Sequence, residues 1–209
     1  MDLKLSVEEA TNTVYFELEE FTGWKFLKSQ RCIKKKIGDV EFVINFFSSK
    51  WNASNEYVGI NADLRIVYKK LGKLPVQNVV ASYFYHPKVG DDKYWYDIST
   101  KEKLDSVIKT LKSEIESTAL QLESDMKKNY KEAVKTLFEK HYEDYDVKLE
   151  FVADVLGMDT IVQKAHSIVD ALSDEEKQDI YDYKNGKRTK NWMLNPTNLR
   201  FIVDNNLME

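Results

Sequence analysis

The residues of this chain that could do chemistry are few and scattered. His86, His141 and His166 are its three histidines, and Cys32 is its one cysteine. No glycine-rich phosphate loop, nucleophile elbow, cysteine pair or His-x-x-x-His spacing occurs. The densest cluster is His141-Tyr142-Glu143-Asp144-Tyr145-Asp146, one imidazole and three carboxylates within six residues. These are metal-ligating types, but the glycine and terminal glutamate of a calcium loop are missing. A hydrated acidic connector between helices is the simpler reading, and no metal or cofactor is expected. Cys32 lies in a strand-like run, where a thiol packs as a small apolar group. Acid–base catalysis can run on carboxylates alone. A hydrolase or transferase whose carboxylates converge only in space therefore stands as the alternative to a non-enzymatic domain.

Binding chemistry has more material. Lys34-Lys35-Lys36, with Lys25, Lys28, Arg31, Arg65, Lys69 and Lys70, could follow phosphates, and Trp24, Trp51, Tyr94 and Trp95 could stack bases. Side chains alternate across a strand, however, so Lys34 and Lys36 face one way and Lys35 the other. That argues against one nucleic-acid patch. Asn45, Ser48, Trp51, Asn52 and Asn61 form a polar set around a chain reversal, where Asn and Ser also bond their own backbone and shape the turn. The candidate binding surface drawn from these groups is Lys34, Lys36, Asn45, Trp51, Asn52, Asn61, Arg65 and Trp95.

The elements that must carry these residues are legible from hydrophobic period. Val40, Phe42, Ile44 and Phe46 alternate with Glu41 and Asn45. After the break Ser48-Ser49-Lys50-Trp51-Asn52, Val58, Ile60, Ala62, Leu64, Ile66 and Tyr68 alternate with Asn61, Asp63, Arg65 and Lys69. This is the pattern of an antiparallel sheet with one buried and one wet face. Lys28–Ile37 reads as the preceding strand, joined through Gly38-Asp39 by a two-residue turn of the II′ kind. Val79–Tyr85, ended by His86-Pro87, and Tyr94–Ile98 complete an antiparallel meander of about five strands.

Helices flank the sheet. Ser6 with Glu9 predicts a capping box for a helix over 6–20 that stops at Gly23. From Ser99 the period becomes 3.6, with Leu104, Val107, Ile108, Leu111, Ile115, Leu122 and Met126 on one stripe and Ser99 and Glu102 as a second capping box. One helix as far as His141 would run roughly 60 Å at ~1.5 Å per residue, so a break is expected near 124–129. A further helix then carries Tyr130, Val134, Leu137 and Phe138. Short helices follow over 146–156, 159–172 and 173–185, the third opened by the box Ser173/Glu176. A last one is started by Asn195-Pro196 and buries Leu199, Ile202 and Val203. The expected fold is α+β: the sheet packed on one face by the long helix. Residues 1–145 form the main domain, and 146–209 a small helical subdomain docked on it.

With 209 residues, 32% of them charged and 12% aromatic, the composition is that of a water-soluble globular chain. No run approaches the about 18 apolar residues of a membrane span. With one cysteine and no signal peptide, the cytoplasm is the expected compartment, with no membrane partner. Charge is segregated. One basic and six acidic residues precede Trp24, eleven basic and four acidic lie in 24–73, and nineteen basic and twenty-five acidic follow. The sheet segment is basic between acidic flanks, which either neutralise it internally or leave it to meet an acidic protein partner.

The run Ile44-Asn45-Phe46-Phe47-Ser48-Ser49-Lys50-Trp51-Asn52, followed by Val58-Gly59-Ile60-Asn61, resembles an uncharacterised bacterial family of the domain-of-unknown-function class, of the DUF 4304 type. Its pattern sets a lysine-rich strand, as at 34–36, before an Ile-Asn-Phe strand and a Ser-x-Trp-Asn turn. A Trp-containing strand, as at 94–96, then leads into long helices. The likeness spans roughly 23–142. Ser49 intrudes in the turn, and Phe47 stands where the family often has a polar residue. The resemblance implies a fold and no activity. Together these readings point to a non-enzymatic protein-interaction domain that uses a basic, aromatic-rimmed sheet face.

Overall fold

The computed structural model describes residues 4–73, 75–85, 95–140, 147–187 and 198–208. Within it the chain forms two compact units, Met1–Lys69 with Ser82–Lys128, and Lys70–Ala81 with Asn129–Glu209.

The first unit opens with α1, Val7–Thr22, started by the capping box expected from sequence. Ser6 Oγ accepts from the Glu9 amide, and the Glu9 carboxylate accepts from the Ser6 amide. Gly23 ends the helix with a left-handed φ of 63°. Thr13-Val14-Tyr15-Phe16 is a run that costs rotamer freedom in a helix. Tertiary packing offsets that cost: the Tyr15 ring sits 5.0 Å from Phe26 and 4.9 Å from Phe46.

The single strand expected over Lys28–Ile37 is instead two. β1 spans Lys25–Leu27, a 3₁₀ turn takes Lys28–Gln30, Arg31 turns left-handed at φ 48°, and β2 spans Cys32–Ile37. The turn to β3, Val40–Ser48, is the two-residue kind expected. Ile37 pairs Val40, and only Gly38 of the two loop residues has a positive φ, 56°, as a II′ turn requires. β4, Gly59–Tyr68, pairs β3 with Phe42 opposite Ile66, Ile44 opposite Leu64 and Phe46 opposite Ala62. All six are at most 4% exposed, so one face of the hairpin is the core. Each large side chain there is worth about 1.5–3 kcal/mol by burial.

A short helix α2, Pro75–Asn78, leads into β5, Val79–Tyr85. The strand order is β1-β2-β3-β4-β5. The final strand departs from the meander: β6 is only Tyr96–Asp97 and pairs β4 at Ile60 and Gly59. His86-Pro87 and Tyr94 lie outside the described residues.

The long helix begins at Lys101, one residue later than expected. Thr100, not Ser99, is its N-cap, accepting from the Lys103 amide. Ser99 is committed elsewhere: its N–H donates to Asp97 Oδ1, its carbonyl accepts from the Leu5 amide, and it is buried. The helix runs as α3, Lys101–Ile115, through one π-helical segment, Glu116–Leu120, into α4, Gln121–Lys128, about 40 Å in all at ~1.5 Å per residue. Leu104, Val107, Ile108, Leu111, Ile115, Ala119 and Met126 are buried along it, while Leu122 is only partly covered. α1 packs against α3, and α4 against β2.

In the second unit Asn129 interrupts the helix, and its Oδ1 accepts from the Glu132 amide. α5, Tyr130–Lys140, buries Ala133, Val134, Leu137 and Phe138 against α6, Leu149–Leu156. A 3₁₀ turn precedes α7, Val162–Asp170. The Ser173/Glu176 capping box starts α8, Asp174–Lys184. α9, Asn198–Asp204, packs on α6 and α7 and buries Ile202 and Val203. Asn198 ties the unit together, accepting from the Leu149 amide and donating to the Val147 carbonyl. The acidic cluster at 141–146 and Asn195-Pro196 lie outside the described residues. No described helix is long and apolar enough to cross a membrane.

Candidate functional site

The face of β2, β3 and β4 turned away from the core stripe carries most of the predicted binding residues. Its register sets them in cross-strand rows: Cys32–Asn45–Asp63, Lys34–Val43–Arg65 and Lys36–Glu41–Val67. Phe47 and Asn61 form a further pair at the loop end.

One expectation needs correction: this face is not uniformly wet. Asp63 is 1% exposed, and Cys32 and Val43 are also buried. The cause is a closed polar cluster. Asn45 Nδ2 donates to Asp63 Oδ1 at 2.7 Å, and Arg65 Nε and Nη2 both lie 2.9 Å from Oδ2. A buried carboxylate needs this pairing, since an uncompensated charge away from water is costly. Asn45 and Arg65 are therefore brought together, but with their polar groups turned to Asp63. Val43 sits between Lys34 and Arg65, whose apolar stems can cover it while their charged heads stay in water. Burial pushes the Cys32 thiol up from its usual value, which suits a packing residue rather than a thiolate nucleophile.

Toward the hairpin turn the face stays open and basic. Glu41 lies 3.9 Å from Lys34 Nζ and 3.3 Å from Lys69 Nζ, one carboxylate for two ammonium groups. Lys36 is exposed on the same face. Lys35 points to the opposite side, as alternation demands.

The loop over 49–58 is built by its own hydrogen bonds, and Asn52 is its clasp. Its Nδ2 donates to the Gly59 carbonyl at 3.1 Å, and its Oδ1 accepts from the Gly59 amide at 2.7 Å. Ser49 Oγ accepts from the Trp51 amide, the Asn55 amide donates to the Leu5 carbonyl, and Ser54 Oγ accepts from the Val7 amide. Asn52 thus shapes the loop and is withdrawn from the candidate surface. Trp51 is 72% exposed, with Lys50 Nζ 5.0 Å from its ring centre. Asn61 Oδ1 accepts from the Ala62 amide, another local backbone bond. Trp95 is half-buried just before β6, apart from the β2–β3–β4 rows.

Trp24, read from sequence as a possible stacking ring, is a core residue. It is 2% exposed, and its ring lies 5.6 Å from Phe42. Sequence reasoning missed Asp63 as the hub of the polar cluster. The available signal was its spacing from Arg65: i and i+2 on a strand share a face. Among the described residues no group of histidine, cysteine and carboxylate side chains could hold a metal ion. No family model, no curated protein and no solved structure matches the chain, so the likeness to the uncharacterised bacterial family rests on its short motifs alone.

Proposed function

We propose that this chain is a non-catalytic binding module of the cytosol that receives an acidic segment of another protein across the open part of its outer sheet face, with Trp51 as the anchor. One observation carries the reading. A tryptophan 72% exposed, with Lys50 Nζ 5.0 Å from its ring centre, stands on a loop held by the Asn52 bonds to Gly59, at the end of the outer face opposite its basic Lys36 and Lys69 end. Holding an indole in water without a partner forgoes burial worth several kcal/mol, and tryptophans so placed are favoured as interface anchors. The loop is already ordered, so little conformational entropy is lost when a partner docks. Charge chooses the partner's sign. On this face Lys34 and Lys69 share Glu41, Arg65 pairs with Asp63, and Lys36 and Lys50 are exposed. Phe47, 40% exposed, extends the apolar part of the surface.

The test is a fluorescence titration of the full chain with a synthetic Glu/Leu-rich peptide and, separately, with a single-stranded DNA oligonucleotide. Saturable peptide binding that weakens at least about tenfold in Trp51→Ala and in Lys36→Glu/Lys50→Glu supports the proposal; about 1.4 kcal/mol is expected for each. Peptide affinity unchanged in both variants overturns it. Tight oligonucleotide binding with a steep salt slope and no peptide binding would also overturn it, in favour of nucleic acid.

A further inference from the structure

Lys35, the lysine that alternation sends inward, lines a cleft between β2 and α4. The cleft has a volume of about 470 Å³, within the range of small-ligand sites. Thr22 at the end of α1 and Glu123, Ser124, Lys127 and Lys128 on α4 complete its polar wall. Its floor is organised by a buried charge. Glu123 is 7% exposed, yet both its oxygens are taken: Oε2 accepts from the Trp24 indole N–H at 2.6 Å, and Oε1 pairs with Lys127 Nζ at 2.7 Å. Glu123 is therefore no open base. It positions Lys127, whose ammonium keeps further N–H donors for the cleft.

The π-helical segment Glu116–Leu120 lies directly before α4, and such segments recur at functional sites because they re-aim the residues that follow. Three ammonium groups against one carboxylate leave the cleft with a surplus of two positive charges. The ends of α1 and α4 add a partial negative charge that fades within a turn and does not cancel that surplus.

We infer that this cleft binds the phosphate group of a small phosphorylated molecule. No arginine lines it, so recognition rests on ammonium groups and a hydroxyl and not on a planar bidentate fork. Lysines act as point charges suited to a compact anion with oxygens on every side, and the Ser124 hydroxyl adds a neutral donor. The volume exceeds what a free phosphate fills and leaves space for an ester substituent. This site is separate from the outer sheet face and stands or falls independently of it.

The test follows the Trp24 indole N–H resonance, which reports on Glu123, while the full chain is titrated with glycerol phosphate, inorganic phosphate and, at matched ionic strength, sodium chloride. A saturable shift with glycerol phosphate, weakened at least about tenfold in Lys35→Ala and Lys128→Ala, supports the inference. The bonds to Glu123 come from Trp24 and Lys127, so both variants leave that buried pairing in place, and an unchanged urea midpoint checks that they fold as the parent does. Lys101→Ala, on a different surface, should bind as the parent does. Equal affinity for inorganic phosphate would support the phosphate site with the free ion as its ligand. A shift that sodium chloride reproduces, no saturation by about 10 mM, or undiminished binding in both lysine variants overturns it.

Discussion

Arg65→Met should destabilise the protein more than Asp63→Asn, although arginine is the more exposed partner. Asp63 is 1% exposed, accepts hydrogen bonds from Asn45 Nδ2 and Arg65 Nε, and pairs with Arg65 Nη2 at 2.9 Å. Removing the guanidinium leaves a buried carboxylate with only the Asn45 amide. Breaking a buried pair this way costs about 3–5 kcal/mol. The Arg65 side chain is 37% exposed, so water already screens part of the pair, and the lower end, about 3 kcal/mol, is expected. Asp63→Asn keeps the shape and one acceptor, deletes the buried charge, and costs about 1–2 kcal/mol. In urea, with a slope of about 2 kcal/mol per molar, the midpoint falls by about 1.5 M for the first variant and by under about 1 M for the second. Circular dichroism across a urea series measures both. If Arg65→Met costs no more than Asp63→Asn, the carboxylate is solvated, and the account of this face as half-closed is wrong.

Three further perturbations probe the same architecture. Asn52→Ala removes both bonds to Gly59 and should cost about 1–2 kcal/mol, with faster hydrogen exchange at the Gly59 amide; unchanged exchange there would contradict the clasp. Burial works against the Asp97 charge, but the bonds from Lys103 and Ser99 outweigh it and hold its carboxyl below the usual value. Its contribution is then present in full above the unfolded value, near 3.9, and is lost as pH falls below about 4, so Asp97→Asn should flatten the loss of stability there; parallel urea-midpoint curves for both proteins would refute this. Ile44→Asp, a charge placed at a fully buried position, should abolish cooperative folding, whereas Lys69→Glu, 63% exposed and facing Glu41, should stay within about 1 kcal/mol of the parent in the same melts.

The hairpin of β3 and β4 was readable because its core-face positions stay apolar at period two over both strands, although Val43, Phe47 and Val67 also fall on the other face. The capping boxes at Ser6 and Ser173 were readable because the motif is local. The start of the long helix was not. Ser99 and Thr100 both offer a hydroxyl, and the choice falls to Thr100 because Asp97 and Leu5 occupy the backbone of Ser99. The 3₁₀ turn over Lys28–Gln30 contains no glycine or proline to announce it, so β1 and β2 read as one strand. The outer face was legible in which residues share it, and not in how wet they are. A charged residue at a polar position reads as solvated, and only the register that sets Asn45 against Asp63 shows otherwise. The cleft was beyond reach from sequence, because Trp24, Lys35 and Glu123 come together only through the packing of α4 on β2.

β1 is three residues long and pairs only Cys32–Lys34, so on that edge of β2, among the described residues, no strand continues alongside Lys35, Lys36 and Ile37, which pair β3 on the other edge. An open rim of peptide groups is an invitation to self-association, since any extended chain can zip on to it. Here two of the three positions are lysines, and a second copy arriving in register would bring its own lysines against them. The truncation of β1 therefore exposes a seam that like-charge repulsion keeps shut to copies of the same chain.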